Sequence, residues 1–265
     1  MKRKFAILLI VIASFVFNAF AQTPVEKAWS ILDAGLKDSN EDDRATAVRV
    51  LGLLQDDKKA QEQAELALQD KSPTVRIAGC NALRQMHSVD SAAKVHELLK
   101  DKESPVVLAA AHALIGLNDP LGYEVFFAIL TGERKSGEGL LDDQKKMLSD
   151  PKKMAQFGFD QGVGFIPFAS VGIGTFRALT KDDSSPVRAA AAVSLAKDPD
   201  ARSGEALVAA AADKKPVVRA AAIDAIAHRD DASLLPGITA AMDDKVDTVR
   251  YTAAAAVIRL SAQKK

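Results

Sequence analysis

From residue 22 on, the chain alternates short polar turns with runs in which apolar residues recur every three or four positions, the period of an amphipathic helix. One set of turns repeats. Asp70-Lys71-Ser72-Pro73-Thr74-Val75-Arg76, Asp182-Asp183-Ser184-Ser185-Pro186-Val187-Arg188 and Asp213-Lys214-Lys215-Pro216-Val217-Val218-Arg219 share one plan. Asp244-Lys245-Val246-Asp247-Thr248-Val249-Arg250 follows it without proline, and Asp38-Ser39-Asn40-Glu41-Asp42-Asp43-Arg44 is a worn copy. In each of them Asp precedes Arg by six positions, and three are followed by alanine-rich helical runs (189–192, 220–222, 253–256). Arg44 to Arg76 spans 32 residues, and Arg188 to Arg219 and Arg219 to Arg250 span 31 each. Second helices are expected at 60–68, 92–99, 121–130, 204–212 and 233–242, with Asp119-Pro120 and Asp198-Pro199 marking two of their starts.

Each part of the turn has a physical role. The Asp ends one helix and accepts backbone N–H groups in the turn. Proline fits the first helical turn, where its missing N–H costs nothing. Alanine lets neighbouring helices approach closely. The Arg, fixed in register, is placed to pair with the Asp of its own or an adjacent repeat. Asp38, Arg44, Asp70, Arg76, Asp182, Arg188, Asp213, Arg219, Asp244 and Arg250 are therefore read as a structural ladder rather than a ligand site. The array opens with a lone second helix at 25–36 and closes with a lone first helix at 249–260, half units expected to cap the two ends.

The D-x-x-P-x-V-R-x-A-A-x-A pattern of these turns resembles HEAT repeats, specifically the short type named after phycobilisome lyases, over residues 38–262 apart from one stretch. The resemblance implies an all-α, right-handed α-solenoid of helix pairs that binds proteins. A subset of the family attaches bilin pigments, and no residue pattern in this chain singles out that subset.

The departure lies in the middle. Asp101-Lys102-Glu103-Ser104-Pro105-Val106-Val107-Leu108 places Leu108 where Arg is expected, and the next ladder Arg is Arg188. About 16 extra residues fall within 132–180 by this count. All seven Phe beyond residue 21 lie between Phe126 and Phe176, and nine of the 15 Gly lie between Gly122 and Gly174. The run 161–176 carries no charge. Three readings are open: an elongated repeat whose Phe side chains fill a core, a partner-binding element, or a membrane contact through the apolar run beside Lys145, Lys146, Lys152 and Lys153. The binding residues under the second reading are Phe157, Phe159, Phe165, Phe168 and Phe176.

The N-terminus changes the picture of charge and place. Met1-Lys2-Arg3-Lys4 precedes an uncharged, mostly apolar run to Ala21, closed by Ala19-Phe20-Ala21, the pattern of a secretory signal peptide. Cleavage after Ala21 turns 35 basic against 35 acidic residues into 32 against 35, a net of −3. The expected organisation is a signal peptide over 1–21, repeats over 22–131, a divergent Phe/Gly-rich unit over 132–180 and repeats over 181–265, with a secreted or periplasmic location.

Composition excludes other classes. An apolar content of 48% is too high for disorder, and 47 Ala against 5% aromatics suits closely packed thin helices. The charge balance argues against nucleic-acid binding. One Cys excludes a disulfide framework and a Cys-based zinc site, and Cys80 among small neighbours reads as a buried apolar residue. His96-Glu97 is not completed to a zinc-protease helix, because Lys100 stands at the last position. His87 and His228 fall late in first helices, where a cation suits the helix end, and His112 is a packed or edge residue. Two Ser-x-x-Lys matches, at Ser91 and Ser194, lack their Lys-Thr-Gly partner. No catalytic, metal or cofactor site is expected. The function expected is a non-catalytic exported scaffold for a protein or peptide partner; the alternatives are a lyase-like accessory handling a prosthetic group, or a membrane-peripheral protein using 157–176.

Overall fold

The computed structural model describes residues 22–131 and 184–263. The signal peptide expected at 1–21, the insert with its five candidate Phe residues, and Asp182 lie outside the described residues. The described residues form twelve α-helices: α1 Pro24–Gly35, α2 Glu41–Val50, α3 Lys58–Ala67, α4 Pro73–Gln85, α5 Ala92–Glu97, α6 Ser104–Gly116, α7 Leu121–Leu130, α8 Ser185–Leu195, α9 Ala201–Ala210, α10 Pro216–Arg229, α11 Leu235–Ile238 and α12 Asp247–Ala262. The architecture is an all-α solenoid of helix pairs.

Local chemistry sets the boundaries. Pro73, Pro105, Pro186 and Pro216 occupy the first turn of α4, α6, α8 and α10. Thr23 caps α1 through a reciprocal pair: its hydroxyl accepts the Glu26 N–H while the Glu26 carboxylate accepts the Thr23 N–H at 2.8 Å. His87, Asn118 and Asp230 take the left-handed conformation just beyond α4, α6 and α10. After the first two, the Ser88 and Asp119 N–H groups reach back to Leu83 O and Leu114 O, satisfying carbonyls that the helix end leaves open. The single helix expected at 233–242 is instead three short pieces, 3₁₀ at Ala232–Leu234, α11, and 3₁₀ at Thr239–Asp243. Pro236 supplies no N–H to the ladder there, and Gly237 packs so closely that an added Cβ would lie 2.6 Å from Val208 Cγ1.

The first helices stack in the order α8, α10, α12, α2, α4, α6. This order corrects the expectation for the chain ends. α1 and α12 do not cap the array. They pack on one another, and α12 also packs on α2, so the two half units form one composite pair in the middle of the stack. The reason is visible in α12: Tyr251 through Ile258 are all buried, and Ala253–Ala256 reach zero exposure. A capping helix needs a polar outer face, and this one has none over two turns.

Polar contacts reinforce the junction. Lys27 on α1 pairs with Asp243 at 2.5 Å. Arg259 on α12 donates to Leu53 O at 2.7 Å and forms a two-pronged pair with Asp230. The outer ends of the array are therefore α6/α7 on one side and α8/α9 on the other, joined through residues 132–183.

The junction makes Gly35 a sensitive position. A methyl group there would lie 2.6 Å from Tyr251 Cζ and 2.9 Å from Ala47 Cβ. Gly35→Ala is expected to cost about 1–3 kcal/mol by overpacking. Urea unfolding of the variant checks this, and an unchanged midpoint would contradict the α1–α12 contact.

Candidate interaction surface

The ladder residues meet as a continuous system. Arg44 grips the Asp70 carboxylate with Nε and Nη2, each at 2.8 Å, and donates from Nη1 to Asp38 O at 2.8 Å. Arg76 pairs with Asp101, donating from Nη2 at 2.9 Å with Nε 2.8 Å from the other carboxylate oxygen but not hydrogen-bonded to it, and donates from Nη1 to Asp70 O at 2.9 Å. Arg219 repeats the Arg44 pattern with Asp244 (2.7 and 2.8 Å) and Asp213 O (3.0 Å). Each Arg thus uses the backbone of its own turn and the carboxylate of the following one. Each Asp in turn accepts the N–H two residues on: Asn40, Ser72, Glu103, Lys215 and Val246.

The rungs are unequal. Arg44, Arg76 and Arg219 are nearly buried, whereas Arg188, in the first unit, makes one bond to Asp213 at 3.1 Å and is 43% exposed. Arg250, at the junction, keeps the bond to Asp244 O but pairs with Asp247 on its own helix. Leu108 belongs to the last described unit in the stack, where no described turn comes next to offer an Asp.

Two further arginines, Arg229 and Arg259, work at the opposite edge of the stack. Arg229 donates to Leu195 O at 2.9 Å, to Asp198 O and to Asp200 O, satisfying carbonyls at the end of α8 and in the turn after it. The two stand 30 residues apart, close to the repeat period, and that spacing is their signal in the sequence.

The pairing shifts protonation. The Arg44 hydrogen bond holds the Asp70 carboxyl below its ordinary value, against the opposing effect of burial. For Asp101 and Asp244 burial pushes upward, but the bonds from Arg76 and Arg219 and from backbone N–H groups outweigh it, and both are lowered. His228 is raised by its bond to the Asp224 carboxylate, in keeping with a cation late in α10. Cys80 is fully buried on α4, and loss of solvation pushes its thiol up to about 12.

With the ladder turned inward, the second helices offer another kind of surface. Lys59 on α3 reaches Asp33 on α1 at 2.9 Å and lies 4.0 Å above the Trp29 ring. Glu65 on α3 accepts the Ser91 hydroxyl at 2.7 Å and pairs with Lys94 on α5. His96 on α5 meets Asp119, in the turn before α7, at 2.8 Å. Between these ties Lys58, Glu62 and Glu97 stand at the surface. A second exposed feature was missed in the sequence. Leu121, Tyr123, Phe126, Phe127 and Leu130 all stand out from α7, though a helix apolar on every side normally signals burial on every side.

Arg44→Ala is expected to cost about 3 kcal/mol, since it strands Asp70 in a largely buried turn. Arg188→Ala should cost under about 1 kcal/mol, as its pair is half-exposed. Chemical denaturation compares the two, and equal losses would contradict the graded ladder. Because the folded values of Asp70, Asp101 and Asp244 are depressed, their stabilisation is complete above the unfolded carboxylate range. It is lost as pH falls through the folded values, so thermal stability should hold at about pH 5 and drop below about pH 4. Cys80 should resist a thiol reagent at about pH 8 and react fully in denaturant; a native-state reaction would refute its burial.

Among solved structures the chain is similar to human deoxyhypusine hydroxylase in complex with glycerol, at 17% identity and a TM-score of 0.34, over 90% of this chain and 97% of that one. It is also similar to an engineered protein, at 14% identity and a TM-score of 0.29, over 89% and 97% of the two chains. No curated protein matches it. The family model described as HEAT repeats matches residues 30–115 and 174–258, the two stretches that carry the ladder. The chain belongs to the HEAT repeat family.

Proposed function

We propose that this protein is an exported, non-catalytic scaffold that holds a protein or peptide partner against its second helices. One observation carries the reading. Successive second helices are tied side by side by Lys59, Lys94 and His96, which gives a preformed surface with Lys58, Glu62 and Glu97 facing solvent. A preformed surface binds without losing conformational freedom of its own, which favours affinity. The buried ladder, in contrast, spends its charges on itself. Export rests on the basic, apolar and small-residue pattern of residues 1–21.

Affinity capture from the native envelope fraction tests the reading, with the mature chain beginning at Gln22 as bait. A triple charge reversal, Lys58→Glu, Glu62→Lys and Glu97→Lys, should leave the melting temperature within about 2 °C, because exposed substitutions shift stability little. The same variant should lose the captured partner at least tenfold. Capture undiminished by the reversal would place binding elsewhere. A purified protein that is coloured, or heavier by mass than its sequence, would favour the reading in which it handles a prosthetic group.

A further inference from the structure

α7 carries two apolar stripes. Gly122 and Val125 form the inner one: Val125 is buried, and a Cβ on Gly122 would collide with Ala111 O on α6. Tyr123, Phe126, Phe127 and Leu130 stand at i, i+3, i+4 and i+7, the spacing of a second stripe along one face of the helix. This stripe is open, with Leu130 88% exposed, Tyr123 63%, Phe127 58% and Phe126 37%, and Leu121 flanks it. Every other second helix rests on the first helix of the following unit: α9 on α10, the 232–243 segment on α12, α1 on α2, α3 on α4 and α5 on α6. α7 packs on α6 of its own unit and has no following unit among the described residues. An exposed apolar surface of this density on a single helix marks a contact surface.

We propose that α7 of a second copy of this chain covers the stripe, in an antiparallel helix pair with two-fold symmetry. The stripe is complementary to itself. About an axis passing between Phe126 and Phe127, Tyr123 faces Leu130 of the second copy and Phe126 faces Phe127 of the second copy, so every position meets an apolar side chain. A head-to-tail contact has no equal surface to use. The other exposed large apolar side chains among the described residues, Leu66, Val89 and Val187, lie on three separate elements, and only Val187 belongs to the opposite end of the array. The area suffices as well. At about 150–250 Å² for a large buried side chain, the open parts of the five on α7 amount to roughly 500 Å² per copy and about 1,000 Å² for the pair, where specific interfaces begin. Glu124 is the sole charged residue of α7 and falls off the stripe, so the centre of the contact is free of charge. A helix without Lys or Arg does not suit an anionic lipid surface. Leu108 agrees, since this unit lacks the ladder Arg that would grip the Asp of a further turn, which leaves apolar contact to hold a neighbour at this end. The inference does not depend on the partner surface proposed above, which lies on α3 and α5.

Sedimentation equilibrium of the whole chain from Gln22 on tests the pairing, over roughly 1–100 μM, where an interface at this lower size limit associates. The weight-average mass should rise with concentration toward twice that of one chain and stop there. Phe127→Glu places a charge beside the axis and should weaken the dimer at least about tenfold, while the melting temperature of the exposed-site variant stays within about 2 °C. A wild-type chain that remains monomeric across the range would overturn the proposal. So would a mass that grows past two copies, which would mean a head-to-tail contact, and so would a dimer that Phe127→Glu leaves intact, which would place the contact elsewhere. If Phe127→Glu loses its helical circular dichroism, cross-linking in otherwise wild-type chains decides. A mixture of Tyr123→Cys chains and Leu130→Cys chains should form an intermolecular disulfide at least about tenfold faster than either variant alone, because the antiparallel pair sets these two positions opposite one another. Equal rates would overturn the pairing.

Discussion

The packing of α12 against α1 and α2 is the contact on which the rest of the array depends. It joins 22–131 to 184–263 into a single stack, and it does so with the most thoroughly buried helix among those described. Ala253–Ala256 allow this helix to be approached from several sides, because a methyl group adds little to helix diameter. Tyr251 supplies the bulk, lying against Gly35 where any side chain would collide with the ring. Small residues bring the backbones close, and one aromatic fills the space that remains.

The Arg–Asp ladder works as alignment more than as raw stabilisation. Removing two charges from water costs several kcal/mol, and a buried pair recovers this only with near-ideal geometry and all remaining donors satisfied. The rungs at Arg44 and Arg219 approach that condition: two parallel bonds to a carboxylate, a third to a carbonyl, and the carboxylate itself anchored by a backbone N–H, whereas Arg76 makes one hydrogen bond to its carboxylate, from Nη2. Each turn is thereby fixed to the next in a single register. Where the stack changes character, so does the rung. It is single and exposed at Arg188, diverted to Asp247 at the junction, and replaced by Leu108 at the far end.

The repeat was legible in the sequence because its turn chemistry is local. Asp, Pro and Arg within seven residues define turn, first helical turn and rung, and the helices begin accordingly at Pro73, Ser185 and Pro216. The order of units in space was not legible, because helix contacts across more than about 200 residues leave no spacing signal. The apolar girdle of 251–258 was the available hint, since it is unlike a capping helix. The region 233–242 had helical periodicity but held Pro236, which offers no N–H to the helix ladder, and Gly237, which packs close against Val208. On α7, periodicity gave the helix and its length, but composition alone did not tell which side would face the solvent.

The meeting of the first and last helices also has a consequence for how the chain comes to be folded. Synthesis runs from α1 toward α12, so the central pair is the last to be completed. Until the final helix of 16 residues arrives, the apolar sides of α1 and α2 have no cover from it. Closing them brings together segments separated by nearly the whole chain, and such non-local contacts form slowly after their entropy cost is met. Two half-arrays that each fold early and join late would pass through a sticky intermediate. Loss of α12 would therefore not shorten the solenoid by half a repeat at its edge; it would part the molecule at its centre.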